Sequence, residues 1–159
     1  MENEPAEDEI DISLKLCQNW YRMSTGRPQA DKPLFWMGSS RDDLREFPEE
    51  VRQTVGFALR QAQRGGKHID TKVLKGFGGA GVLEVVEDHV GDTYRAVYAV
   101  RFAGSVYVLH AFQKKSKRGI KTPTAERELI RRRLKAAEEH HEQRRENQAR
   151  GARGHHRGE

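Results

Sequence analysis

Residues 92–115 read DTYRAVYAVRFAGSVYVLHAFQKK. Two β-prone runs, 92–102 and 105–115, flank the Ala103-Gly104 pair, which is the composition of a short hairpin turn. Just upstream, GVLEVVED (81–88) ends at Val90-Gly91-Asp92, a second turn signal. Three strands joined by loops this short are expected to form an antiparallel meander. Side chains alternate along a strand. Tyr94, Ala96, Tyr98, Val100 and Phe102 therefore share one face of the middle strand, and Arg95, Val97, Ala99 and Arg101 share the other. In the last strand Val106, Val108, His110, Phe112 and Lys114 fall together, and Tyr107, Leu109, Ala111, Gln113 and Lys115 oppose them.

Helices flank these strands. Before them, PLFWMG (33–38) reads as a short apolar strand. Ser39 or Ser40 caps a short helix, with Asp42 and Asp43 in the first turn, where the helix dipole favours acids. Pro48 starts a second helix striped by Val51, Val55, Leu59 and Ala62 and ended by Gly65-Gly66. After the strands, Thr122-Pro123 opens a last helix, with Ala125, Leu129 or Ile130, Leu134 and Ala137 as its apolar stripe. Two helices N-terminal to the sheet must cover one face. The face with Arg95 and Arg101 is then the expected open one. On it Arg95, one of Lys114 and Lys115, and Lys72 or Lys75 would converge, and Glu84 would pair with Arg95 and orient it. An Arg95 that serves only that ion pair is the plainer reading of the same residues.

Charge is distributed unevenly. The 159-residue chain carries a formal net charge of +5, 33% charged residues and a mean hydropathy of −0.90, which is polar for one packed domain. Residues 1–11 hold six acids and no base, whereas 114–135 hold ten bases against two acids. A block of that sign attracts a polyanion, nucleic acid first. Cys17 is the only cysteine, so neither an intrachain disulfide nor a thiolate metal cluster is expected, and a cytoplasmic location fits. No stretch reaches the roughly 18–20 apolar residues of a membrane span. The paired histidines His140-His141 and His155-His156 lack metal-site geometry, and no cofactor is expected. Gly76 to Gly81 match G-x-G-x-x-G, but a strand follows where a dinucleotide fingerprint needs a helix. A flexible loop is the better reading.

The chain thus divides into an N-terminal extension (1–32) with a helical spacing of Ile10, Leu14, Cys17 and Tyr21, a folded domain (33–137), and a charged tail (138–159) expected to be frayed helix, then disorder. Over 33–137 the order strand–helix–helix–strands–helix, with KVLKG (72–76), YRAVYAV (94–100), VYVLHAFQKKSKRGIKTP (106–123) and AERELIRRRL (125–134), resembles the RelE/ParE toxin superfamily, nearest its HigB-like, phage-derived branch. The resemblance implies an α+β fold: a RelE-like small antiparallel sheet with two N-terminal helices packed on one face and a C-terminal helix.

It further implies the toxin of a type II toxin–antitoxin pair, a metal-free endoribonuclease acting on mRNA at the ribosome, with a helix-turn-helix antitoxin as partner. By position, Arg95, Lys114, Lys115 and Lys75 are the implied phosphate-handling groups. His110 is either an acid/base or a buried structural histidine. Lys72, Arg101, Lys117, Arg118 and Lys121 are the implied RNA contacts. No aromatic follows Phe112 to stack on a base. Two rivals remain: a ParE-like toxin that binds gyrase without nuclease chemistry, and a non-catalytic protein that binds nucleic acid or an antitoxin.

Overall fold

In the computed structural model, residues 30–79, 81–114 and 122–154 are described. The compact unit from Asp31 onward holds, in chain order, β1 (Leu34–Trp36), α1 (Ser40–Arg45), α2 (Glu49–Gln63), β2 (Thr71–Val73), β3 (Val82–His89), β4 (Asp92–Ala99), β5 (Val106–Lys114) and α3 (Thr124–Gly154). The helix expected over Ile10–Met23 lies outside the described residues.

Local chemistry explains the element ends. Ser39 precedes α1, and its Oγ donates to Asp43 Oδ2 at 2.7 Å. Pro48 starts α2. Two reverse bonds close α2: Gly66 N–H to Gln61 O at 2.8 Å and Gly65 N–H to Ala62 O at 3.0 Å, the paired pattern of a Schellman ending. His89 pairs with Asp92 across a two-residue hairpin. Both residues of that hairpin have positive φ, Val90 at 48° and Gly91 at 83°. Glycine accepts this conformation freely, whereas a β-branched residue does not.

The fold is α+β, with a five-stranded sheet in the order β1-β5-β4-β3-β2. The expected meander is there: β3, β4 and β5 pair antiparallel. The expectation of a purely antiparallel sheet is corrected at one edge, because β1 joins β5 in parallel, Leu34 opposite Val106. A parallel pair needs a long crossover, and the chain supplies one through the helices and the meander. β2 is a strand that the sequence pattern does not reveal. It spans only Thr71-Lys72-Val73, too short to show a period.

β5 carries an extra residue. Val97 pairs with His110 but the next residue, Tyr98, pairs with Val108, so Leu109 has no partner opposite it. This bulge breaks the simple alternation of β5. Val106, Val108 and Ala111 face one core, while Tyr107, Leu109 and Phe112 face the other. The first core joins Leu44 of α1 and Val51, Val55, Ala58, Leu59 and Ala62 of α2 to the sheet. The second joins Ile130, Leu134 and Ala137 of α3 to Val97, Ala99, Tyr107, Leu109 and Phe112.

The face expected to stay open is therefore covered by α3. That helix also runs on to Gly154, past the point where the sequence suggests fraying. It is tied down beyond Ala137 by polar contacts: Tyr107 Oη with His140 Nδ1 at 2.9 Å, Arg144 over the Phe35 ring at 4.4 Å, and Arg144 Nη1 donating to Ser105 Oγ at 3.2 Å.

Two outcomes test this description. Ile130 is fully buried in the second core, so Ile130→Ala should cost about 2–5 kcal/mol in urea unfolding, against less than about 0.5 kcal/mol for the exposed Lys135→Ala. Val90 is 88% exposed and contributes little but its strain, so Val90→Asn should stabilise the fold by about 1 kcal/mol in the same assay.

Candidate functional site

The face beneath α3 gathers the charged side chains. Strand register sets them out in rows: Lys72 opposite Glu84, Glu84 opposite Val97, and Val97 opposite His110. The next row is Val86, Arg95 and Phe112, and the next is Asp88, Thr93 and Lys114. Arg95 projects on the same face as Lys114. The start of α3 lies over the first two rows. The third, with Lys114 and Thr93 half-buried and Asp88 exposed, extends past it as a corner that no described helix covers.

Arg95 is not the surface group that alternation suggested. It is 4% exposed. Its Nη1 donates to Glu84 Oε2 at 3.0 Å and to Thr122 Oγ1 at 3.3 Å. The expected Glu84 pairing is present, and Thr122 adds a link to the entry of α3. A buried guanidinium needs such partners because removing it from water costs several kcal/mol.

His110 sits one row away and 6% exposed. The bulge turns it toward α3, away from Val108. Its Nε2 meets Glu126 Oε2 in a short contact, and Arg133 Nη1 approaches Nδ1 at 3.1 Å. Arginine has no acceptor, so Nδ1 accepts and Nε2–H donates to the carboxylate. The ring also stacks on Phe112, centroids 5.0 Å apart.

Arg133 completes the clamp. It donates to Leu109 O at 2.9 Å and to Ser39 Oγ at 2.9 Å, so it satisfies the carbonyl of the bulged residue and ties α3 to the cap of α1. Burial lowers the pKa of this guanidinium from its ordinary value, and the nearby Asp43 carboxylate partly opposes the shift; arginine still stays protonated at neutral pH. Gly38, φ 55°, lies against this group. A Cβ there would come within 2.8 Å of Arg133 Nε, so any other residue would displace the guanidinium from this position.

The remaining residues divide. Lys72 joins the face beside Glu84 and is exposed. Lys75 does not converge with Arg95. It lies beyond β2, toward the Val82 end of β3, where its carbonyl accepts from Arg127 Nη2 at 2.6 Å. There Arg127 and Arg131 stack over Phe77 at 5.1 and 5.4 Å.

Arg101 is also remote, about 20 Å along the strand from Arg95 at ~3.3 Å per residue. It is held by Glu138 and, at 3.4 Å, by Phe77 O. Lys115, Lys117, Arg118 and Lys121 lie outside the described residues. Sequence reasoning passed over Glu126 and Arg133. The i, i+7 spacing of these two on the last helix was the available signal, since it puts both on one side.

Removing one member of the buried pair should be costly. Glu84→Ala leaves a buried guanidinium without its carboxylate and should lose about 3–5 kcal/mol in chemical unfolding, whereas the double variant Glu84→Leu/Arg95→Met should recover most of the loss.

Among the described residues no helix is long and apolar enough to cross a membrane. A family model described as "Phage derived protein Gp49-like (DUF891)" matches residues 42–135, from α1 into α3. No curated protein and no solved structure matches the chain.

Proposed function

The chain belongs to the Gp49-like family of phage-derived proteins, and on that premise we propose that it is the toxin of a type II toxin–antitoxin pair, cleaving mRNA at the ribosome without a metal. The observation that carries the reading is the corner of the sheet beyond the start of α3. Lys114 stands there on the same face as Arg95, and the chain leaves the corner directly into Lys115, Lys117, Arg118 and Lys121.

Such a corner suits a phosphodiester. The substrate 2′-oxygen forms a bond to phosphorus as the bond from phosphorus to the 5′-oxygen breaks. The 2′-hydroxyl proton passes to a base, and the leaving oxygen takes a proton from an acid. Negative charge gathers on the equatorial oxygens, where fixed cations stabilise it. Lys114 is the group assigned to that charge. Arg95 adds its field from below and acts through position, since its guanidinium is held by Glu84. An ammonium can also hand a proton to the leaving oxygen, a part we assign to Lys114 or Lys115.

Lys72 and the 115–121 segment grip the backbone. Their contribution is salt-dependent, as phosphate contacts are. His110 acts as the clamp of α3, both ring nitrogens being engaged. A helix-turn-helix antitoxin that presents acids to the corner would neutralise it.

One observation favours a second reading. Arg95 and His110 are both buried and committed to internal partners, which a toxin that binds gyrase without cutting RNA would tolerate equally well.

Primer extension on mRNA from cells expressing the chain separates the two. Codon-periodic cuts should appear with the wild type and fall by about 100-fold or more with Lys114→Ala, while Lys114→Arg keeps a part of the activity. Intact mRNA together with altered plasmid topology would establish the second reading instead.

A further inference from the structure

Past Ala137 the inward stripe of α3 changes character without changing rhythm. Ile130, Leu134 and Ala137 are followed at the same spacing by His141, Arg144 and Gln148. These three, with Arg145, form one wall of a cleft of about 290 Å³ whose other wall is Pro33 and the Ala103–Ser105 turn. That volume is close to the ~300 Å³ at which small-ligand clefts begin.

The walls are built rather than incidental. Ser105 is 3% exposed and His141 9%. The Arg144 guanidinium is fixed between Ser105 Oγ at 3.2 Å and the Phe35 ring at 4.4 Å. The His141 ring packs against Phe102 and Tyr107, with centroids 5.3 and 6.4 Å away. Its Nδ1 is buried and has no hydrogen-bond partner among the described residues, a state that native folds seldom leave unexplained. Among the described residues Arg145, at the rim, has only a solvent-exposed contact to Glu142 at 3.6 Å. A Cβ on Gly104 would meet nothing within 4 Å, so that side of the cleft is open.

We infer that this cleft binds a phosphate group. Two guanidinium forks and a primary amide supply donors from several directions, with His141 in the cleft wall beside them, which matches a tetrahedral oxyanion with acceptors on every side. A planar carboxylate would engage one fork and leave the rest. The phosphate is either free, as inorganic phosphate or a nucleotide end, or one link of an RNA backbone. From Glu126 to Arg144 the helix advances about 27 Å at ~1.5 Å per residue. The cleft is therefore separate from the Lys114 corner and does not rest on the nuclease reading.

The full chain, labelled with nitrogen-15, is titrated with inorganic phosphate, with a 2′-O-methyl oligoribonucleotide that cannot be cleaved, and with sodium chloride at matched ionic strength. Saturable shifts at Gly104, Ser105, His141 and Gln148 are expected with phosphate and not with chloride. Arg145→Gln should weaken the binding about tenfold, the worth of one charge-assisted hydrogen bond. Gln148→Ala should weaken it less.

Both variants lie on the rim and leave the Arg144–Phe35 contact intact, so their amide spectra should otherwise match the wild type. Tighter saturation by the oligonucleotide than by phosphate identifies the RNA backbone as the source. Saturation by phosphate alone identifies the free anion. Cleft signals that stay still with both, or move equally with chloride, overturn the inference. The Lys114→Ala variant should titrate as the wild type does, and a chain that cuts no RNA yet shows these shifts keeps the cleft while losing the nuclease.

Discussion

The unmatched Leu109 in β5 governs the geometry on both sides of the sheet. Upstream of it, Val106 and Val108 feed the core under α1 and α2. Downstream, His110 and Phe112 turn to the opposite face, under α3, and Lys114 follows them. The added residue has a polar consequence too. Its carbonyl accepts from Arg133 of α3. The same guanidinium reaches His110 and Ser39. A single irregularity in one strand thus fixes where the last helix docks, which charges are buried and which lysine remains at the surface.

Burial sorts the cationic residues into distinct roles. Arg95, Arg101, Arg127 and Arg133 are held by carboxylates, carbonyls, hydroxyls or aromatic rings within the fold. They are better regarded as structure than as charge available to a partner. Arginine suits this use, because its planar fork satisfies several acceptors at once and its hydration is weak. The accessible charge lies elsewhere: Lys72 and Lys75 are exposed, Lys114 is half-buried at the corner, and Arg131, Arg132 and Arg145 stand exposed on α3. A large formal positive charge in the second half of the chain therefore overstates the cationic surface offered to RNA.

Much of the architecture was legible in the sequence. Asp42, Asp43 and Pro48 marked the helix starts, Gly65-Gly66 an ending, and the turn residues at 90–91 and 103–104 the meander. Other features left no signal that alternation can read. The run Val106 to Phe112 is apolar toward both faces, since both are covered, so no polar residue marks where the register slips.

The last helix looked finished at Ala137 because the stripe continues in His141 and Arg144, which pack through ring faces and a guanidinium rather than through aliphatic carbon. At the site, the Glu84–Arg95 pair was legible from diagonal neighbours on adjacent strands. The choice between Lys114 and Lys115 was not, because the described register settles only Lys114, and it depends on the bulge. Burial of Arg95 could not be inferred without knowing that α3 crosses its face.

The parallel pairing of β1 with β5 bears on how the chain reaches this state. β3, β4 and β5 are consecutive and close through a two-residue hairpin and a six-residue connection, so their contacts form at little loop-closure cost. β1 meets β5 only after almost the whole domain has been laid down, across one of the longest sequence separations in the sheet. Contacts of that range raise the contact order and slow folding. The meander is then the natural nucleus, and β1 the strand that docks late, leaving the outer edge of β5 exposed in the interval. During synthesis, that edge waits for a segment made long before it, and a partner that pairs with it first would trap the chain short of its native sheet.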